Sequence, residues 1–580
     1  MTAAGLLPLA VLAPLVGGAI SPLLARWHRR LPLLAGLVAV TGALALLLVL
    51  AVRVYRHGPL THFFSGERPV AGQALGIAFT ADPFGMVVAI TSAFIGLILL
   101  VSLLSEFGEV GRREVGGLAG LVQLLLAALI AAALTADLIN LFVWFEVAAL
   151  ASYGLTGFLL ERPIALEAAF KLLVLTSTGG FAVFIGAAML YDSYGALNLG
   201  QLHIALGAGV NRSGLVAGAL LVGGFAVKAG LVPFHAWLPD AHTPVPGAIS
   251  ALFSGLMVNL GAVGLVRLAV LVYPLRPGHH LLGLLMGFGL ASALLGALLA
   301  LVQDDLKRLL AWDTVSQIGL LLLGFASHTQ DGMAGATFHL INHALFKTLL
   351  FLCAGAVVHA TGATSLSQMG GLLQRRPLLA CSFVLAVLAI SGVPGFNGYV
   401  SLDLIHRGLQ STPVLEWFAR LAQVITVAAL SRGAYLGFLR RRPDEYDRLD
   451  TPRLGMRISL LSLATICLGF GVFGRLLVTR VAAPAAAVLG RPDYYARAAL
   501  GLPTGPLPGS PVEFHYFAPG TLLPALVEIA LGLLLAAVAV RWAAPIRPIG
   551  WLQRLHTGSV NDYAMCVTAG FLITGCVLLL

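Results

Sequence analysis

Apolar runs recur from one end of the chain to the other, separated by short polar stretches. A helix needs about 20 apolar residues to cross a bilayer, and the pattern predicts about sixteen such spans. They lie near 5–22, 31–53, 83–104, 115–134, 137–160, 164–190, 214–238, 247–273, 281–302, 308–327, 333–359, 379–411, 416–438, 457–477, 521–541 and 561–580. Helices satisfy their own backbone hydrogen bonds in lipid. The expected fold is therefore an all-α polytopic membrane protein with about 14 to 16 transmembrane helices. Asp82 before Pro83 reads as the cap of the third span.

Three consecutive spans share features with the three that come five spans later. The fifth span opens Asp137-Leu-Ile-Asn-Leu-Phe-Val-Trp144, and the tenth opens Asp305-Leu-Lys-Arg-Leu-Leu-Ala-Trp312. Phe170-Lys171 in the sixth matches Phe346-Lys347 in the eleventh. The seventh is interrupted at Gly230-Leu-Val-Pro233-Phe234, and the twelfth at Gly392-Val-Pro394-Gly-Phe396. Five is odd, so the second copy would enter the membrane from the opposite side. The pattern predicts two inverted five-helix repeats with broken helices at the seventh and twelfth spans, the architecture in which transporters hold their ions. The expected organisation is N-terminal helices at 1–110, a first bundle at 111–275, a second at 276–440, and C-terminal helices with an extramembrane loop at 441–580. Within the last part, 439–456 reads as a basic surface loop and 478–520 as a Pro- and Gly-rich loop. The final two spans read as an anchor outside the repeat.

Composition agrees with the pattern. Hydrophobic residues make up 59% of the chain and charged residues 10%, against about 25% charged in soluble proteins. The net charge is +10. Numbering the spans in order, loops after odd-numbered spans hold 19 of the 35 Lys and Arg residues and loops after even-numbered spans hold 12. Lys171, Lys228, Lys347 and Arg432 fall inside spans. The basic balance thus reads as topology rather than a nucleic-acid patch, and it places both termini outside the cytoplasm. The first span has no basic segment before it, so it does not read as a cleaved signal. Cys353, Cys381, Cys467, Cys566 and Cys576 are scattered in apolar segments without a CxxC pair. No phosphate-binding glycine loop is present, so no cofactor is expected in this chain.

Charge inside the membrane is costly and marks function by default. Glu146 and Lys228 both lie mid-span, and each is the natural partner of the other. Glu167 and Lys171 share a helix face, and His339, His343 and Lys347 form a stripe along another. Histidines beside lysines suit a water-linked proton relay. Metal binding by His339 and His343 lacks a third ligand in the sequence. His235 and His242 flank the first break; they would carry protons to an aqueous exit or bond freed backbone carbonyls. His359 lies near the end of the eleventh span. Asp403 and His406 follow the second break, where Asp403 reads as a terminal loading site and Arg432 as its partner cation or a snorkelling residue. Asp240, beside Pro239, reads as a turn or cap. Glu528 has no assigned role.

Several segments resemble the antiporter-like family, the large ion-translocating subunits of respiratory complex I, Mrp-type Na+/H+ antiporters and group 4 membrane-bound hydrogenases. They are Trp144-Phe-Glu146, Phe170-Lys171, the stretch from Val227-Lys228 through His235 to His242, the Asp305 to Trp312 segment, and Asn342-His343-Ala-Leu-Phe-Lys347. The resemblance covers roughly 80–410. It implies a central hydrophilic axis in which Glu146 and Lys228 form a modulating ion pair and His235, His339, His343 and Lys347 are members. Two departures stand out: many members carry a lysine where this chain has Asn259, and many end the axis with Lys or Glu where this chain has Leu402-Asp403.

The main functional expectation is a proton-translocating subunit of a complex I-related redox-driven pump. The alternative is a subunit of an Mrp-type Na+/H+ antiporter without redox chemistry. A structural scaffold with an inert polar axis is a third reading. The expected partners are other membrane subunits with peripheral redox subunits, in a bacterial inner membrane.

Overall fold

The computed structural model describes residues 2–579 apart from 65, 67–68, 71–72, 75, 107–110, 159–162, 275–279, 442–451 and 542–555. Most of the basic loop expected at 439–456 and the 551–555 stretch before the last span lie outside the described residues. So do Arg68, Arg162, Arg276, Arg442, Arg448, Arg547 and Arg554, which enter the loop charge bias.

Among the described residues, 15 helices are long and apolar enough to cross a membrane. In chain order they begin with α1 (Leu7–Trp27) and α2 (Leu31–His57). A hairpin of β1 (Leu60–Phe63) and β2 (Ala78–Ala81) follows, paired antiparallel with Leu60 opposite Ala81. Then come α3 (Pro83–Glu106), α4 (Arg112–Leu134), α5 (Leu138–Thr156) and α6 (Pro163–Tyr194). A short α7 (Leu199–Ala208) leads to α8 (Arg212–Ala229), α9 (Trp237–His242) and α10 (Gly247–Val272). The second half holds α11 (Leu281–Val302), α12 (Leu306–Ala326), α13 (Gln330–Thr361), α14 (Pro377–Ile390), α15 (Asn397–Gly408) and α16 (Pro413–Leu439). The chain ends with α17 (Leu454–Val472), α18 (Ala483–Leu489), α19 (Pro492–Ala499), α20 (Pro519–Arg541) and α21 (Val560–Leu579). The twelfth expected span is present as two half-helices, α14 and α15. The seventh ends at Ala229, earlier than its apolar run suggests.

The sequence repeat reappears as repeated local geometry. Asp137 caps α5 by accepting from the Asn140 amide at 2.8 Å, and Asp305 caps α12 by accepting from the Arg308 amide at 2.9 Å. Each cap also forms a β-bridge to a segment later in the chain, Asp137 with Asn198 and Asp305 with Ser365. The two breaks match bond for bond. Gly230 and Gly392 adopt φ of 69° and 72°, a left-handed conformation open to glycine at no steric cost. The Leu231 amide then donates to Ala226 and Phe234 to Leu231, while Val393 donates to Leu388 and Phe396 to Val393.

Small residues bring the helices to backbone contact, as is common where lipid supplies no hydrophobic drive between helices. A Cβ on Gly224 of α8 would lie 2.5 Å from the Gly179 carbonyl of α6. One on Gly296 of α11 would lie 2.5 Å from the Ser316 amide of α12, and one on Gly247 of α10 would lie 2.7 Å from Gly355 of α13. Helices α10 and α12 are buried in protein along their apolar windows.

Two expectations are corrected here. The 478–520 stretch is not simply a loop: α18 and α19 lie within it and are largely buried. Their prolines stand in the first turn, where proline suits a helix. Arg267, counted with the loops after even-numbered spans although the 247–273 span includes it, is fully buried in α10 and pairs with Asp82 at 2.5 Å. Asp82 thus does more than cap α3, although it also accepts from the Gly85 amide at 3.2 Å. The Arg267 guanidinium lies 4.7 Å over the ring of Tyr495 in α19. The last two spans, read as an anchor outside the repeat, have only 22% of each apolar window buried and pack against the bundle from its edge. Helix α20 packs on α16, and α21 packs on α8, with Gly570 against Phe234 and the Phe571 ring 5.5 Å from it.

Candidate functional site

Four groups of polar side chains lie along the molecule. In the first, Lys228 occupies the last turn of α8, just before the Gly230 break, and is fully buried. Its Nζ lies 5.1 Å over the Phe145 ring and has no hydrogen-bond partner among the described residues. Glu146, the next residue on α5, is half-buried, and its Oε1 is also unpartnered. The expected ion pair between these two residues is not formed: neither a hydrogen bond nor an ion pair joins them. The reason is geometric. The Phe145 ring occupies the space beneath Lys228, and the Glu146 carboxylate is turned against the backbone of Gly180 on α6.

The second group centres on Asp240 in α9, which reads from sequence alone as a turn residue. Lys171 Nζ lies 2.6 Å from Glu167 and 3.2 Å from Asp240 Oδ2. Arg308 reaches Asp240 Oδ1 at 3.9 Å, His556 Nε2 lies 2.9 Å from Oδ1, and the Tyr563 hydroxyl donates to Oδ2 at 3.2 Å. Burial pushes the Asp240 carboxyl up, but the His556 hydrogen bond and the charges of His556, Lys171 and Arg308 outweigh it and hold the group at about 2. His235 is not part of this node. Its ring lies 5.2 Å from that of Trp312, which also lies 5.3 Å from the His556 ring.

The third group joins the two halves. His242 stacks on Phe351 of α13 at 4.7 Å, and both its ring nitrogens are buried without a partner. Asn259 donates to the Gly255 carbonyl of its own helix at 2.9 Å, and its Oδ1 is unpartnered. Lys307 donates to the Val245 carbonyl at 2.7 Å, and Ser254 meets Thr314 at 2.7 Å. Lys347 of α13 pairs with Asp313 of α12 at 2.5 Å and donates to the Leu310 carbonyl at 2.9 Å.

The fourth group runs from α13 to the second break. His343 has two buried, unpartnered nitrogens. One turn away, His339 bonds Gln317 through Nε2 and Ser401 through Nδ1, both at 3.1 Å. Beside them, Asn342 donates to the Asn397 carbonyl at 2.9 Å, and the Asn397 side chain donates back at 3.0 Å. A water-sized cavity of about 20 Å³ follows, lined by Tyr399, Asp403, His406, Arg420, Thr521 and Glu528. Asp403 pairs with Arg407 at 3.0 Å, not with Arg432. Arg432 instead donates to the Gln303 carbonyl at 2.7 Å, because the α16 turn that carries it faces the end of α11. Glu528 of α20, without a role in the sequence, pairs with Arg420 at 2.5 Å. His359 is exposed at the end of α13, outside all four groups. Among the described residues, no three His, Cys, Asp or Glu side chains converge as metal ligands.

Buried polar atoms normally find partners. Here Glu146, Lys228, His242, Asn259, His343 and His406 all keep unpartnered atoms in the interior among the described residues.

Residues 135–427 match the family model described as NADH:quinone oxidoreductase/Mrp antiporter, transmembrane. The chain belongs to this family. The antiporter-like protein is 30% identical over 471 residues to a Na(+)/H(+) antiporter subunit of Alkalihalophilus pseudofirmus, covering 80% of this chain and 93% of that protein. Its fold is similar to a chain of the Mrp complex from Dietzia sp. DQ12-45-1b, with a TM-score of 0.75, 25% identity and coverage of 86% of this chain and 100% of that one. It is also similar to a chain of the membrane-bound sulfane sulfur reductase, an archaeal respiratory membrane complex. There the TM-score is 0.77 and the identity 26%, over 86% of this chain and 99% of that one.

In this antiporter-like protein, Asp313, Lys307, Asp240, Arg407, Arg420, His556 and Tyr563 join these polar groups, and sequence reasoning gives none of them a functional role. Asp313 carries a signal: it is a carboxylate inside an apolar span. The others sit beside prolines, at span ends or hundreds of residues from their partners.

Proposed function

We propose that this chain is the ion-translocating component of a multisubunit Mrp-type Na+/H+ antiporter. The observation that carries this reading is the similarity to the Alkalihalophilus pseudofirmus Na(+)/H(+) antiporter protein along 93% of that protein's length. The proposed path starts at Glu146, Lys228 and Lys171, crosses by Asn259 to Lys347, and continues through His343 and His339 to His406 and Asp403. The Asp313–Lys347 pair is its central switch. While Asp313 is ionised, it holds Lys347 charged. Once a proton neutralises Asp313, Lys347 loses its counter-charge, and its own proton passes through water to His343. Gln317 and Ser401 orient His339, and Asn342 in turn donates to the Ser401 hydroxyl.

The repeated break geometry and the odd number of spans between the copies support two bundles of opposite orientation, at about 111–275 and 276–440, and the loop charge bias supports both termini outside the cytoplasm. Other membrane subunits are the proposed partners. A second reading, a redox-driven ion pump with peripheral redox subunits, is favoured by the similarity to the sulfane sulfur reductase chain.

The test uses the whole assembly, purified gently and reconstituted in proteoliposomes. An imposed Na+ gradient should drive pH change inside the vesicles without any electron donor, and Glu146→Gln or Lys347→Ala should remove it. Proton movement that requires an electron donor and ignores Na+ would favour the second reading. Movement unchanged in both variants would overturn the path itself.

A further inference from the structure

The chain's last segment reaches back to a charged node that already belongs to the first repeat. His556 and Tyr563 come from sequence more than 300 residues beyond Asp240, yet both contact its carboxylate. We propose that His556 is a proton-responsive positioning residue that sets whether Lys171 is bound to Asp240 or released from it, with Tyr563 as its hydrogen-bond switch. This deepens the proposed function and rests on it, because Lys171 lies on the proposed path.

The geometry allows two arrangements. The Tyr563 hydroxyl lies 2.7 Å from His556 Nε2 and 3.2 Å from Asp240 Oδ2, and it has one proton to give. With a proton on Nε2, His556 donates to Asp240 Oδ1 at 2.9 Å. Tyr563 then donates to Oδ2, the oxygen that Lys171 also holds. The carboxylate is satisfied without Lys171, which remains 2.6 Å from Glu167. With Nε2 bare, Tyr563 donates to the histidine instead. Asp240 loses both hydrogen-bond donors, and Lys171 and Arg308 must hold it. Protonating Nε2 therefore frees Lys171, and removing that proton clamps it.

The charged and titratable groups around His556 are fixed on several elements. Asp240 belongs to α9, Lys171 and Glu167 to α6, Arg308 to α12, and Tyr563 and Asp562 to α21, while His235 lies beyond the Trp312 ring. The His556 side chain is 5% exposed, so it exchanges protons without bulk water surrounding it. Packing of Gly570 and Phe571 on Pro233 and Phe234 anchors α21 to the first break. This packing makes the node part of the bundle rather than a loose tail.

The test is the pH profile of ion transport by the reconstituted whole assembly, with His556→Gln, Tyr563→Phe and, as a control on the function itself, Glu146→Gln. His556→Gln should flatten the profile or move its midpoint by about one pH unit, with the assembly intact by size-exclusion chromatography. Tyr563→Phe, which keeps the histidine, should move the midpoint in the same direction by less. If Glu146→Gln abolishes transport but the two C-terminal variants reproduce the wild-type profile, the His556 proposal is wrong and the proposed function stands. If Glu146→Gln leaves transport unchanged, the proposed function fails first. Should His556→Gln fail to assemble, the Tyr563→Phe profile decides alone.

Discussion

Lys347 Nζ and Asp313 Oδ2 stand 2.5 Å apart at the junction of α12 and α13, and both side chains are fully buried. Removing one partner of such a pair strands a charge in the interior, at a cost of ~3–5 kcal/mol. Asp313→Leu alone should therefore lower the thermal midpoint of the purified full chain markedly. Asp313→Leu with Lys347→Met should recover most of that loss, because apolar replacement of both partners is often neutral. Transport should stay absent in both. A double variant less stable than the single one would show that the pair is not what holds this junction.

Gly180 offers a way to move a carboxylate without touching it. A Cβ there would collide with the end of the Glu146 side chain, which is flexible. Gly180→Ala should displace the Glu146 carboxylate while leaving α6 at least as stable, since Ala favours a helix over Gly by ~1 kcal/mol. Transport should fall by about tenfold at an unchanged thermal midpoint. Wild-type transport in this variant would mean that the position of Glu146 is unimportant.

Asp82 and Arg267 form a second buried pair, at 2.5 Å, away from the proposed path. Asp82→Asn should destabilise the chain by ~3 kcal/mol, seen as a lower thermal midpoint, with the transport rate per folded assembly retained. A selective loss of transport at normal stability would place this pair in the mechanism instead.

Asp240 supplies a pH expectation for stability. Its carboxyl is held at about 2, below its ordinary 3.8. A depressed carboxylate stabilises the fold above its ordinary value, and that contribution is lost as pH falls through the lowered one. The node should thus contribute about 2 kcal/mol at neutral pH and lose it between about pH 4 and 2. Thermal unfolding of the full chain across that window should show a steeper fall for wild type than for Asp240→Asn. Parallel curves would remove the node from the stability of the fold.

The parts of the axis that are legible in the sequence are those where a charge interrupts an apolar run. Lys228, His343 and Lys347 have no mundane reason to be there, and the structure buries all three. The repeat is legible because Asp137 and Asp305 must each cap a helix and Gly230 and Gly392 must each turn left-handed. Partner choice is not legible. Glu146 and Lys228 suggest a pair by opposite sign, but spacing along the chain says nothing of the Phe145 ring under Lys228 or of Gly180 beside the Glu146 carboxylate. Asp313 stands directly after the Asp-Leu-x-x-Leu-x-x-Trp match, where the pattern draws attention away from the charge. Asp240 is masked by Pro239, which is an ordinary helix-start signal. Glu528, His556 and Tyr563 lie in segments whose neighbours are set entirely by tertiary packing. The same holds for α18 and α19, whose prolines mark helix starts and loops alike. On function, the family is legible in its motifs. The choice between a redox pump and an antiporter is not, and the antiporter is the reading that the similarities favour.

The glycine contacts between α6 and α8, α11 and α12, and α10 and α13 bring main chain against main chain. Only the contact of Gly247 with Gly355 joins the two expected bundles, and helices seated that closely have no layer of side chains to slip on, so sliding at that seam is disfavoured. In the proposed path, the parts free to move beside that seam are the ends of lysine, glutamate and histidine side chains. For the proposed assembly, the consequence is a seam between the two halves that stays put, so that a subunit bound across it would not be sheared.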